Sequence, residues 1–328
     1  MLDMDRLRAL SAVATYGSVS AAADVLHVTT SAVSQQMAKL ERETGQKLLE
    51  RNGRGVRLTD AAVLLAAHAE RILAMVEEAE SDLEAQRGEV VGELAVAAFP
   101  TAARGLLPPA LRTLSHEHPR LRVCLRESEP GSAVPLAVRG EIDLGIVQDW
   151  FNVPLAIPEG LVKASLVDDI ADVALPAGHR LADRDVIDLG ELHDDAWIAQ
   201  SPGAICRDWL VHTLRSVGLE PRVAHTADEY ATQLALVAVG LGVAVVPRLG
   251  RCDVPADVRI VPVRPSLTRH IYAIWRAEAA RRPAIRAVVS ALSGITPPPG
   301  TTPAFAGGIP ALAGTAPPGP GAFPAGHR

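Results

Sequence analysis

Residues 18–59, SVSAAADVLHVTTSAVSQQMAKLERETGQKLLERNGRGVRLT, decide how the rest of the chain is organised. The alanine-rich segment over 20–26 is expected to be a short helix capped by Ser20, with Ala22, Ala23 and Leu26 on its buried face. Small side chains there let a second helix approach closely. That second helix starts with Thr29 as its N-cap and ends near Gly45, which suits the left-handed position just beyond a helix. Val33, Met37 and Leu40 follow i, i+4, i+7 spacing and belong in the core. The opposite stripe, Ser31, Ser34, Gln35 and Ala38, is short and polar, so it can press its backbone and small donors into a major groove.

After Gly45 the pattern changes to two short strands, over 47–50 and 56–59, around the turn Asn52-Gly53-Arg54-Gly55. Lys47, Arg51, Arg54 and Arg57 stand there against one acid, Glu50. A basic wing of this kind neutralises phosphates and fixes register while the helix reads bases. The assignment that follows gives Ser31, Ser34 and Gln35 to base edges, and Thr29, Thr30, Arg51 and Arg54 to phosphates or the minor groove.

The order of these residues resembles a known family. AA-x-x-L (Ala22, Ala23, Leu26), S-A-V-S-x-Q-x-x-x-L-E (Ser31 to Glu41), G-x-x-L-L-x-R (Gly45 to Arg51) and the L-T of Leu58 and Thr59 are similar to the LysR-type transcriptional regulators. The resemblance is specific over about the first 60 residues and architectural to about residue 293. Leu49 stands where the family usually has Phe, Ala62 where it has Gly, and Gln35 where many members carry Arg. The last difference bears on base preference.

The whole chain sets the boundaries of that reading. Its 328 residues are enough for two or three cores, and 48% hydrophobic content fits a folded protein. The net charge of -6 means that affinity for nucleic acid must come from a local basic patch. Residues 1–8 are charged and amphipathic, unlike a signal peptide. The longest apolar run, over 234–247, is broken by Gly240 and Gly242 and is shorter than the roughly 20 residues of a membrane helix. The expected location is therefore the cytoplasm, with no membrane partner.

A first helix is expected over 4–16, closed by Gly17 and packed behind the recognition helix. Thr59 caps a long helix to about Gly88, along which Leu65, Ala69, Ile72, Val76, Ala79 and Leu83 are spaced 4, 3, 4, 3, 4. So narrow a seam suits a partner helix, and in LysR-like proteins the corresponding helix dimerises. From residue 89 strands and helices alternate: strands over 93–99, 121–127 and 142–147, then 161–166, 172–175, 197–199, 222–225 and 242–246. Helices are expected over 101–116, 132–139, 205–217 and 228–239. The chain crosses between two lobes near 160–162 and returns near 265–269, with a rejoining strand over 270–275 and a closing helix over 283–292.

The expected architecture is thus an all-α winged helix-turn-helix (1–60), a linker and dimerisation helix (61–88), and a bilobed α/β effector domain. Its first lobe comprises 89–161 and 268–293, its second 162–267, and a proline-, glycine- and alanine-rich disordered tail follows over 294–328. The effector half resembles that of LysR-type regulators, which is similar to periplasmic solute-binding proteins. A cleft between lobes is where a ligand biases a hinge.

Ligands of open α/β sheets bind beyond the carboxyl ends of strands. Thr101 and Ala102, Ser128 and Glu129, Gln148, Gln200 and Ser201, and Thr226 occupy such ends. By resemblance, Thr101 and Ser128 match positions where relatives bind effector through hydroxyls. Exposed N–H groups with few carboxylates suit a small organic acid or an amino acid. The three cysteines, Cys124, Cys206 and Cys252, show no metal or disulfide spacing. Cys206 precedes Arg207-Asp208, where peroxide-sensing relatives place a reactive thiol.

Enzyme readings find little support. Gly240-Leu241-Gly242 precedes a strand instead of following one, His116 and His118 have no third ligand, and no G-x-S-x-G elbow is present. No cofactor is expected. A solute-binding protein that never touches DNA would lack the basic wing. The expected function is that of a LysR-type transcription regulator, with double-stranded promoter DNA, a small-molecule effector, a homodimer or homotetramer, and RNA polymerase as a further candidate partner.

Overall fold

The structure, a computed structural model, describes residues 2–26, 28–52, 55–295 and 302–303, and divides into two compact units. The first holds residues 1–90 with 276–286, the second residues 91–275 with 287–328.

In the first unit, α1 (Met4–Tyr16), α2 (Val19–Val25) and α3 (Thr30–Thr44) enclose a core of Leu10, Val13, Ala22, Ala23, Val33, Met37 and Leu40. The cap of α2 is Ser18 and not Ser20, because the chain leaves left-handed Gly17 already extended and the Ser18 hydroxyl accepts from Ala21 N at 3.1 Å. Thr29 caps α3 as expected, its Oγ1 accepting from Ala32 N at 3.1 Å, and Gly45 ends it at φ 65°. Replacing Thr29 by alanine orphans that amide and is expected to cost about 1 kcal/mol, read as a lower urea midpoint at unchanged slope.

The wing is an antiparallel pair, β1 (Leu49–Asn52) and β2 (Gly55–Leu58), with Leu49 opposite Leu58 and Glu50 opposite Arg57. It begins two residues later than the expected 47, because Glu41 binds the entry. Its Oε1 accepts from Leu48 N at 2.9 Å and Leu49 N at 3.3 Å. The long helix α4 (Asp60–Arg87) is capped by Thr59 and closed by left-handed Gly88. Its seam does not behave as one stripe. Of its members Ala69 is buried and Leu65, Ile72 and Val76 are half-buried, the early turns packing against α1, whereas Ala79 and Leu83 stand exposed. The 3-10 turn Ala277–Arg281 packs on the later part of α4, where Arg276 Nε donates to Glu77 Oε2 at 2.9 Å and Arg281 bonds Asp82 at 2.7 Å.

In the second unit, β3 (Gly92–Ala98), β4 (Leu121–Glu127) and β5 (Leu144–Trp150) run parallel, with β3 in the middle. They alternate with α5 (Pro100–Gly105), α6 (Leu107–Glu117) and α7 (Pro130–Val138), so the single helix expected over 101–116 is two, one opened by Pro100 and a second that starts at Leu107. The largest departure follows. The two strands expected over 161–166 and 172–175 are one 16-residue strand, β6 (Leu161–Pro176). The interruption expected over 167–171 does not occur because Asp168 and Asp169 both find partners on the returning strand. Asp169 pairs with Arg269 and Asp168 with His270.

Beyond β6 come β7 (Ile187–Asp188), β8 (Ala196–Ala199), α8 (Ile205–Ser216), β9 (Arg222–Thr226), α9 (Tyr230–Ala238), β10 (Ala244–Pro247), β11 (Val258–Val261) and β12 (Val263–Arg264). The return strand β13 (Leu267–Arg276) lies between β6 and β5 and runs antiparallel to β5, giving the sheet order β10-β6-β13-β5-β3-β4. Helix α10 (Pro283–Ser293) follows. Two lobes therefore share β6 and β13 as a crossing. The tail expected over 294–328 lies mostly outside the described residues. Within it Thr302–Pro303 forms a two-residue strand, β14, antiparallel to β6. Among the described residues no helix is long and apolar enough to cross a membrane.

Candidate DNA-reading face and effector cleft

On α3, the face opposite Val33, Met37 and Leu40 carries Thr30, Ser31, Ser34 and Gln35, all exposed, with Thr29 exposed at its start. The Ser34 hydroxyl donates to Thr30 O at 2.8 Å, which leaves its oxygen to accept. Gln35 has an amide that can donate and accept together at a base edge. The wing is less free than its composition implies. Arg57 Nε donates to Glu50 Oε1 at 2.8 Å and Lys47 Nζ to Glu41 Oε2 at 3.1 Å. Exposed pairs like these contribute little and exchange readily for phosphate. Only the backbone of Arg51 is described, and Arg54 lies outside the described residues.

In the second unit the centre of the crossing is a buried ion pair. Arg269 and Asp169 are each 0% exposed, with Nη2 and Oδ2 2.7 Å apart. Arg269 Nε donates to Asp169 Oδ2 at 2.8 Å, Nη1 to Gln148 Oε1 at 2.5 Å, and Nη2 to Thr101 Oγ1 at 2.9 Å. The other carboxylate oxygen accepts from Leu249 N at 3.0 Å. Gly250, at φ 63°, lets this loop touch the Thr101 backbone, where a Cβ would collide with the Thr101 carbonyl. The guanidinium also lies 5.4 Å from the centre of the Phe99 ring. Both charges are thus matched, as burial of an ion pair demands.

Gln148 carries the network across to the second lobe. Its Nε2 donates to Cys206 Sγ on α8 at 3.3 Å, and Tyr230 OH on α9 donates to the same sulfur at 3.7 Å. Burial pushes the Cys206 thiol up, more than Arg269 and its hydrogen bonds draw it down, so it is a poor thiolate. In the core Trp150 stacks on Trp209, with centroids 3.5 Å apart and planes 11° apart.

Of the expected cleft residues, Thr101 and Gln148 are brought together, though Gln148 lies within β5 and not beyond it. Ala102 is fully buried in α5 and presents no surface to a ligand. Ser128 and Glu129 form the loop before α7, and Thr226 is the exposed last residue of β9. Gln200 and Ser201 meet Asp228: Gln200 Nε2 donates to its carbonyl at 3.0 Å, and Ser201 N and Oγ bond its carboxylate at 2.7 and 2.9 Å.

The expectation of few carboxylates is not met. Burial raises the Glu129 carboxyl, and the charge of Asp228 raises it further, against a lowering by Arg269. Sequence reasoning does not reach Arg269, Asp169, Asp228 or Tyr230. The available signal is paired ionisable residues inside apolar strands, Asp168-Asp169 in LVDDIADVAL and Arg269-His270 in LTRHIYAIW.

Comparison with known proteins gives the family of the fold that carries these residues. Residues 87–294 match the family described as LysR substrate binding domain, and residues 4–63 match the bacterial regulatory helix-turn-helix protein, lysR family. A probable hydrogen peroxide-inducible genes activator of Streptomyces viridosporus is 30% identical over 88% of this chain and 92% of its own length. A full-length OxyR variant from Pseudomonas aeruginosa shares the fold at TM-score 0.65 and 22% identity, covering 90% of this chain and 99% of that one. Full-length CbnR, solved in complex with its target DNA, matches at TM-score 0.53 and 25% identity over 89% of this chain and 99% of that one. The match to two family descriptions, one over residues 4–63 and one over 87–294, means that this protein belongs to the LysR family of bacterial helix-turn-helix regulators.

Proposed function

We propose that residues 1–60 dock on promoter DNA with α3 in the major groove, and that a small molecule held between the lobes at the β6 and β13 crossing changes how paired heads grip it. The exposed polar face of α3, backed by buried Val33, Met37 and Leu40, carries this reading. Ser31, Ser34 and Gln35 contact base edges, while Thr29, Thr30, Arg51 and Arg54 contact backbone or minor groove. The exposed Leu64, Met75 and Leu83 on α4 favour a second copy as partner, which supplies the second head for a two-fold site. Full-length CbnR, to which this chain is similar, is solved in complex with its target DNA, which supports the DNA-docking part of this reading.

The cleft reading rests on convergence of both lobes and both crossing strands on Arg269. Such a centre can change only if its polar partners are rearranged together, which suits a switch. Redox sensing is not proposed, since no second cysteine follows Cys206 within the next forty residues. The role is regulatory and not catalytic, and it is exercised where the chromosome lies, in the cytoplasm.

Footprinting of the full-length protein on the DNA beside its own gene tests this. Protection of two segments separated by whole helical turns of about 10 bp is expected. Absence of protection at every salt concentration tried would reject it.

A further inference from the structure

We propose that Glu41 is a positioning residue for DNA binding: its carboxylate clasps the root of the basic wing to the last turn of α3, so that wing and recognition helix meet the duplex as one piece. The proposal rests on the DNA-docking reading above and adds the side chain that sets the angle between the two parts.

One carboxylate takes three successive residues of the chain. Glu41 Oε1 accepts from Leu48 N at 2.9 Å and from Leu49 N at 3.3 Å, while Oε2 accepts from Lys47 Nζ at 3.1 Å. These bonds span the left-handed bend at Gly45, where α3 ends. The Glu41 side chain is 17% exposed and that of Lys47 84%, so the two amide bonds are sheltered and the lysine contact is screened by water. Burial raises the Glu41 carboxyl, but the Leu48 amide, Lys47 and the Leu49 amide outweigh it and hold it below its ordinary range. It is therefore an anion at neutral pH, with acceptors only.

The other side of the root belongs to α4. Thr59 N donates to Leu48 O at 3.0 Å, and Thr59 Oγ1 donates to Lys47 O at 2.7 Å while accepting from Ala62 N at 3.2 Å as the cap of α4. Residues 47–49 are thus tied to α3 through amides and to the start of α4 through carbonyls. Without Glu41 the bonds to α4 remain and those to α3 are lost. Leu48 is also buried in the core of the head, and Leu49 and Leu58 pack against it. Apolar packing resists undocking but is non-directional, so it does not fix tilt. Tilt matters because the wing is a lever. From Leu49 to Asn52 the strand β1 extends about 10 Å at about 3.3 Å per residue, so a small rotation at the root is magnified at the basic turn.

Charge alone predicts the reverse of this role, since removing an anion beside a polyanion tightens every duplex. E41Q and E41M separate the two. They remove the same charge, are close to glutamate in length and helix propensity, and differ in that glutamine keeps an oxygen for the two amides.

Fluorescence anisotropy of the full-length protein on duplex from beside its own gene, across a salt series, compares them. E41M is expected to bind about tenfold more weakly at about 0.1 M salt and to lose about one unit of salt slope, as for one phosphate contact. E41Q is expected to keep the wild-type slope and to bind at least as tightly. Both should keep the discrimination that depends on Gln35, which shows that α3 is still folded and seated. E41A, which leaves room for water at the orphaned amides, should follow E41M.

Equal slopes for wild type, E41Q and E41M would overturn the assignment while leaving DNA docking intact. Equal losses in E41Q and E41M would give the effect to the charge or to the Lys47 contact, and overturn it too. Unfolding of the head in both E41M and E41A, followed by urea titration, would make Glu41 a folding residue and likewise overturn it. A wild-type protein without salt-dependent affinity for any duplex would overturn the docking reading itself, and this one with it.

Discussion

Replacing Arg269 by alanine is expected to lower the stability of the effector unit by about 3 to 5 kcal/mol, enough to leave much of it unfolded at physiological temperature. The reason is what the substitution leaves behind. Asp169 is 0% exposed and keeps only the Leu249 amide at 3.0 Å once the guanidinium is gone. Gln148 Oε1 and Thr101 Oγ1 lose their donor in the same step. Removing both charges has a different outcome: R269M combined with D169L takes away the uncompensated anion and should recover most of the loss. Urea unfolding followed by tryptophan fluorescence reports it, since Trp150 and Trp209 stack beside the network. An R269A protein within about 1 kcal/mol of wild type would show that the pair does not hold the crossing together.

Gln35→Ala is expected to erase discrimination at one base pair, worth about 1 to 3 kcal/mol between the preferred base and its competitors, with little change on other sequences. An amide can give and accept at once, which suits the edge of adenine, and Gln35 is exposed on the face of α3 opposite the core. Arg54→Ala should act in the other way, weakening every duplex alike and reducing the salt slope by about one unit. Competition between duplexes differing at single positions separates the two. Equal losses on all sequences for both variants would dissolve the division between reading and gripping.

Much of this architecture is legible in the sequence, for local reasons. The ends of α3 and α4 are set by Thr29 and Gly45, and by Thr59 and Gly88, each of which acts within four residues of itself. Ser18 and Ser20 can both cap α2, and only the conformation of the preceding Gly17 decides between them. The continuity of β6 is hidden because Asp168-Asp169 looks like a loop until its partners are known. Those partners lie 102 and 100 residues away, on β13. The candidate site divides in the same manner. Thr101 and Gln148 are visible as polar residues at or near strand ends, while Arg269 is not, because a cation inside a strand is explained only by a distant anion. The seam expected along α4 is too regular for its setting. Periodicity places Leu65 to Leu83 on one stripe, but α1 covers the early turns of α4, so its members run from buried Ala69 to exposed Ala79 and Leu83.

Salt dependence of DNA binding is the most direct test of a head that grips phosphates and reads bases. The affinity of the full-length protein for duplex from beside its own gene would be followed by fluorescence anisotropy across a salt series. The expected result is a linear fall of log affinity with log salt, of slope about -0.9 per phosphate neutralised, on which Gln35→Ala leaves the slope unchanged and narrows the gap between cognate and scrambled duplex. Affinity that is flat with salt, or absent for every duplex, would contradict it.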